Sequence, residues 1–144
     1  GGDVNGDGID DIVVAPRTST ISGHAPKVFV LFGTCGGYPS EVDLRQLDGK
    51  YGFSISLNDP GENVLAKLCG DVNDDGLLDI AVITGETLYI IFGRSSGMPF
   101  PASIESADFF DGEAGMVVTG LNGGRVPSTS GDINRDGFAD LVIS

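Results

Sequence analysis

Residues 71–79 read DVNDDGLLD, and two apolar stretches follow at once, DIAVIT (79–84) and TLYIIF (87–92), separated only by Gly85 and Glu86. Short β-branched runs joined through a Gly-containing pair of residues read as an antiparallel hairpin. The acidic segment in front of it sets carboxylate or amide groups at Asp71, Asn73, Asp75 and Asp79, with Gly76 among them. Like charges packed this closely repel unless a cation sits among them.

The same segment occurs twice more, as DVNGDGIDD at 3–11 and DINRDGFAD at 132–140, so the pattern D-x-N-x-D-G-x-x-D starts at residues 3, 71 and 132. Recurrence at spacings of this size marks a repeat architecture. The repeat extends past the acidic segments. VFVLFG (28–33) matches LYIIFG (88–93), each followed by Gly and Pro at equal distances (Gly37 and Pro39, Gly97 and Pro99), and LDGKYGFSIS (47–56) matches FDGEAGMVVT (110–119).

Nine short strands are expected, over Asp11–Ala15, Lys27–Phe32, Gly52–Leu57, Val64–Cys69, Asp79–Thr84, Thr87–Phe92, Met116–Thr119, Val126–Thr129 and Asp140–Ile143. No long apolar pattern of helical period occurs, so the fold class is all-β. Four antiparallel strands per unit suit one propeller blade, and residues 33–50 and 93–112 read as excursions between outer strands, with Ser40 or Asp43 capping a helical turn in the first. The expected organisation is one part of a β-propeller domain holding about two and a third repeats: 1–63 the end of one blade, 64–120 a complete blade, 121–144 the start of a third. Open segments of this kind leave strand edges for more of the same chain, or another subunit, to complete.

The acidic segments have the chemistry of a hard-cation site. Calcium takes about six to eight oxygens from carboxylates, amides, main-chain carbonyls and water. Alternate loop positions turn oxygens toward one centre, giving three candidate calcium sites: Asp3, Asn5, Asp7, the Ile9 carbonyl and Asp11; Asp71, Asn73, Asp75, the Leu77 carbonyl and Asp79; and Asp132, Asn134, Asp136, the Phe138 carbonyl and Asp140. No His or Cys takes part, which argues against zinc and copper. An EF-hand would carry a bidentate Glu where this chain has Val14, Val82 and Ile143, and would flank the loop with helices. A single such loop would also read as a metal-free Asx-rich turn; three identical ligand sets argue otherwise.

Composition narrows the function classes. The chain of 144 residues has a formal charge of -13, and more than half of its 21 acidic residues lie in the three loops. Only eight Lys and Arg are scattered along it, so a phosphate-backbone partner is not expected. No apolar run reaches the roughly 18 residues of a membrane helix, so no membrane insertion is expected in this segment. The two cysteines, Cys35 and Cys69, leave a secreted disulfide and two buried thiols equally open. With one histidine, His24, and no nucleophile signature, no catalytic constellation assembles and an enzyme is not expected. Tyr38, Phe100, Phe109 and Phe110 could line a sugar site, but read first as packing residues.

With these residues in view, the sequence resembles the FG-GAP repeats of the integrin α-subunit β-propeller and its relatives, over essentially the whole chain. The name-giving motifs depart from the pattern: Val14 precedes Ala15-Pro16, the second unit reads VITGE, and Asn63-Val64 and Arg125-Val126 stand where Phe-Gly would be. The resemblance implies calcium held where the loop joins the two innermost strands of a blade, and an extracellular or cell-surface home. It implies an adhesion or recognition module whose protein or carbohydrate ligand approaches the face opposite the calcium loops, where the connection 16–26 is long and its counterpart is only Gly85-Glu86. A second reading is a structural subunit of an extracellular filament or surface layer that self-assembles through open blade edges. A polysaccharide-lyase-type propeller ranks third.

Overall fold

The computed structural model describes residues 2–15, 27–57, 64–121 and 130–142. Ten strands are found there: β1 (Ile12–Val14), β2 (Lys27–Leu31), β3 (Gly52–Ser56), β4 (Val64–Leu68), β5 (Ile80–Thr84), β6 (Thr87–Ile91), β7 (Ser103–Glu105), β8 (Gly115–Thr119), β9 (Ser130–Gly131) and β10 (Asp140–Leu141). They form a four-stranded sheet in the order β1-β2-β3-β7, a second in the order β4-β5-β6-β8, and the two-stranded ladder β10-β9. The fold is all-β, and the two four-stranded sheets are compatible with blade-like segments of a propeller. Helical structure among the described residues is confined to two 3-10 turns, Leu44–Gln46 and Ser106–Asp111. Asp43 caps the first, as the sequence led one to expect, its carboxylate accepting the Arg45 N–H.

The second sheet is antiparallel throughout. Its centre follows from composition: in β5 every residue is buried, Ile80 and Val82 toward the first sheet and Ala81 and Ile83 toward the opposite side. Successive side chains of a strand point to opposite faces, so a run without polar alternation marks a strand covered on both. The main core gathers Val28, Val30, Phe53 and Ile55 of the first sheet against Ile80, Val82, Tyr89 and Ile91 of the second.

The first sheet departs from the expected plan. Its fourth strand, β7, comes from the excursion 93–112 of the following unit and lies parallel to β3, pairing Ser54 with Ser103, Ile55 with Ile104 and Ser56 with Glu105. The excursion is therefore not a plain surface loop: Phe100 and Ile104 enter the main core, and the Phe100 ring stacks on Phe53 at 4.3 Å between centroids. Strand β9 was likewise not expected, and the expected strand Val126–Thr129 lies outside the described residues.

Candidate metal centres

Each acidic loop leads directly into a strand, and two of them join antiparallel neighbours. The segment 71–79 joins antiparallel neighbours β4 and β5, and 132–140 joins β9 and β10. The segment 3–11 leads into β1. Hairpin 85–86 joins β5 to β6 at the opposite end of the sheet. The longer connection 16–26, with His24, lies outside the described residues.

Two left-handed residues shape each loop. The fourth position is Gly6 (φ 73), Asp74 (φ 62) or Arg135 (φ 65), and the sixth is Gly8 (φ 82), Gly76 (φ 84) or Gly137 (φ 97). Left-handed backbone suits Gly and tolerates Asp, which explains the invariant sixth glycine better than the variable fourth position.

The side chains then close the loop in one repeated circuit. Asp3 accepts N–H groups from Gly6, Asp7 and Gly8 at 2.6, 3.1 and 2.7 Å. Asp71 accepts from Asp75 and Gly76, and Asp132 from Asp136 and Gly137. At the third position the amides of Asn5, Asn73 and Asn134 donate to Asp7, Asp75 and Asp136 at 3.0, 2.9 and 2.8 Å. Those three aspartates in turn accept the N–H groups of Ile9, Leu77 and Phe138 at 2.8 to 2.9 Å.

The ninth position is the anchor. Asp11 is 2% exposed and Asp79 0%. Each carboxylate accepts one N–H from its own loop and one from a glycine two residues beyond a neighbouring strand: Val4 and Gly33 at 2.7 and 2.8 Å for Asp11, Val72 and Gly93 at 2.7 and 2.9 Å for Asp79. Gly33 and Gly93 are the glycines of the two Phe-Gly pairs, and there is no space for a side chain at either. A Cβ on Gly93 would lie 2.6 Å from the Leu77 Cβ and 2.9 Å from the Leu78 carbonyl oxygen, and one on Gly33 would lie 2.5 Å from the Asp10 carbonyl oxygen. Sequence reading matched VFVLFG with LYIIFG but did not find this role of their glycines. In the third loop Asp140 accepts from Ile133 and Asn134 and is only partly buried.

Burial pushes the Asp79 carboxyl up to about 6; hydrogen bonds from Gly93 and Val72 oppose the shift, and Asp75 and Asp71 add to it. Asp11 is raised for the same reason, with Val4 and Gly33 opposing and Asp7 and Asp3 adding. A dry carboxylate whose nearest charges are other carboxylates is stabilised in its charged form by a bound cation.

A calcium ion held here would need mixed donors. Among the described residues no group of three or more His, Cys, Asp or Glu side chains gathers as a metal cluster. Along the sequence each loop carries carboxylates at positions one, five and nine, an amide oxygen at three and a main-chain carbonyl at seven. A carboxylate has about four lone-pair directions, so an aspartate holding two N–H groups, or three as Asp3 does, retains some acceptor capacity for a metal. The cysteines are not bonded to each other: Cys35 is exposed, and Cys69 is buried with its thiol pushed up to about 12 by burial and by Asp79.

No family model matches the chain, and no solved structure matches it. Among characterised proteins it is similar to integrin alpha-4 of Xenopus laevis, 28% identical over 150 residues, an alignment covering 98% of this chain and 13% of that protein. The chain thus spans about one-eighth of the relative's length. No helix among the described residues is long and apolar enough to cross a membrane.

Proposed function

We propose that the chain is part of an integrin-like adhesion module of the extracellular space or cell surface, in which calcium braces the acidic loops and a protein ligand binds the opposite face. The observation that carries the calcium reading is the buried pair Asp11 and Asp79. Each is raised by burial and by neighbouring aspartates, inside a loop whose oxygen donors have the spacing a hard cation takes. Similarity to integrin alpha-4 supports the adhesion reading and the location outside the cell.

In this reading Asp3, Asn5, Asp7, Ile9 and Asp11 hold the first ion, Asp71, Asn73, Asp75, Leu77 and Asp79 the second, and Asp132, Asn134, Asp136, Phe138 and Asp140 the third. Bound calcium supplies the positive charge that lets Asp11 and Asp79 ionise while buried. It acts as a brace, because protein oxygens take most of the coordination positions and few are left for a ligand. The test is equilibrium dialysis against radioactive calcium with wild type and Asp79→Asn: the variant should bind one ion fewer, and equal binding would refute the assignment.

A further inference from the structure

Strand β7 shows how one unit closes the outer edge of another. In the first sheet β3 would be the last strand, yet β7 from the following unit pairs along it in parallel, the Ser54 N–H donating to the Ala102 carbonyl at 3.0 Å. Ile104 is buried there beside Ile55, and every residue of β3 is buried.

Strand β8 occupies in the second sheet the place of β3 in the first. Gly115 stands opposite Ile91 as Gly52 stands opposite Leu31, and the Phe92 N–H donates to the Ala114 carbonyl as the Phe32 N–H donates to that of Tyr51. Among the described residues nothing pairs along the outer edge of β8. Met116 and Thr119 are exposed and Val117 and Val118 half-buried, whereas their counterparts in β3 are buried. A free, β-branched strand edge is a template for another strand.

The complementary segment is also present. Residues 103–105 (SIE) end on the acid that precedes the 3-10 turn Ser106–Asp111; residues 41–43 (EVD) end on Asp43, which caps the turn Leu44–Gln46. An Asp-Gly pair comes at or just after the end of each turn, Asp48-Gly49 beyond the first and Asp111-Gly112 closing the second, with Gly49 and Gly112 left-handed at φ 87 and 79. Among the described residues 41–43 belong to no sheet, and Val42, the counterpart of buried Ile104, lines an open groove with Pro39, Leu47 and Tyr51.

We propose that 41–43 is a strand donor and the outer edge of β8 a strand acceptor, and that the partner of each is a further unit of this same construction. The pairing is parallel, setting Val117 against the residue at position 41 of the donor, Val118 against that at 42 and Thr119 against that at 43. A unit of this kind is recognised by its extended apolar-acidic segment ahead of a 3-10 turn, and units join in one direction only, since donor and acceptor differ. This inference stands on the β3–β7 geometry and does not depend on calcium binding.

The test adds a synthetic peptide of residues 33–51 to the full chain at millimolar concentration and follows amide hydrogen exchange residue by residue. The Val117 and Thr119 amides should slow at least tenfold, while Ser54 and Ser56, already covered by β7, stay unchanged and report an intact fold. A peptide carrying Val42→Pro should lose the effect. Unchanged exchange along β8, or equal protection by the Val42→Pro peptide, would overturn the proposal.

Discussion

The main-chain N–H of Leu78 donates to the carbonyl of Asp3 at 3.0 Å, and the N–H of Ala139 donates in the same way to the carbonyl of Asp71 at 3.0 Å. The eighth position of the second and of the third loop is therefore tied to the first position of the loop before it. Arg94 adds a second tie, its N–H donating to the Val4 carbonyl at 2.8 Å. The acidic loops form one chained row, and whatever orders one of them bears on its neighbour.

The anchor carboxylates should not be equivalent. Asp79 is buried and accepts two backbone N–H groups, so Asp79→Asn turns an amide donor toward one of them. Measured by urea unfolding in excess EDTA at pH 5, where the Asp79 carboxyl is mostly protonated, this should cost roughly 1–3 kcal/mol, the range for a buried polar group left unsatisfied. Asp140→Asn, at a half-buried position, should cost less under the same conditions.

Two glycine substitutions separate steric from conformational cost. At Gly76, with φ 84, an added Cβ meets nothing within 4 Å, so Gly76→Ala reports left-handed strain alone, about 1 kcal/mol. At Gly93 an added Cβ runs into the Leu77 side chain and the Leu78 carbonyl, so Gly93→Ala should cost more, roughly 1–3 kcal/mol with backbone displacement. Chemical denaturation of the pair checks the order.

The Asp79 carboxyl, raised to about 6, sets a pH dependence with opposite signs for two quantities. Without calcium its folded pKa lies above the ordinary 3.8, so its favourable contribution to stability is complete below that value and is lost as pH rises through about 6. Calcium binding needs the ionised form and should weaken as pH falls below about 6, with proton uptake into the buffer on binding at that pH. Titrations in buffers of different ionisation enthalpy read both the affinity and the number of protons.

Thiol labelling of the native protein should stop at one site. Exposed Cys35 should react with iodoacetamide, while Cys69, buried and with its thiol held at about 12, should react only on unfolding. Mass spectrometry after mild alkylation distinguishes one modified cysteine from two.

What the sequence made legible was whatever the chain repeats or encodes locally. The strands from Lys27, Gly52, Val64, Ile80 and Thr87 carry apolar runs between turn residues, and the structure places strands on each. The loop positions were readable because three copies share them. Strand β7 was not, because Ser-Ile-Glu is three residues long, lies in a polar stretch and takes its partner from another unit in parallel. The reach of Asp11 to Gly33 and of Asp79 to Gly93 was also hidden, since it links residues 22 and 14 positions apart through a fold the local pattern does not specify.

The most direct measurement is thermal unfolding in excess EDTA and again in millimolar calcium, with calorimetric counting of bound ions on the same sample. Ions that bind the folded chain preferentially raise its midpoint, so about three ions bound and a midpoint higher by several degrees is the predicted result. An unchanged midpoint with no heat of binding would contradict the account, leaving the acidic loops as turns held by their own side-chain hydrogen bonds.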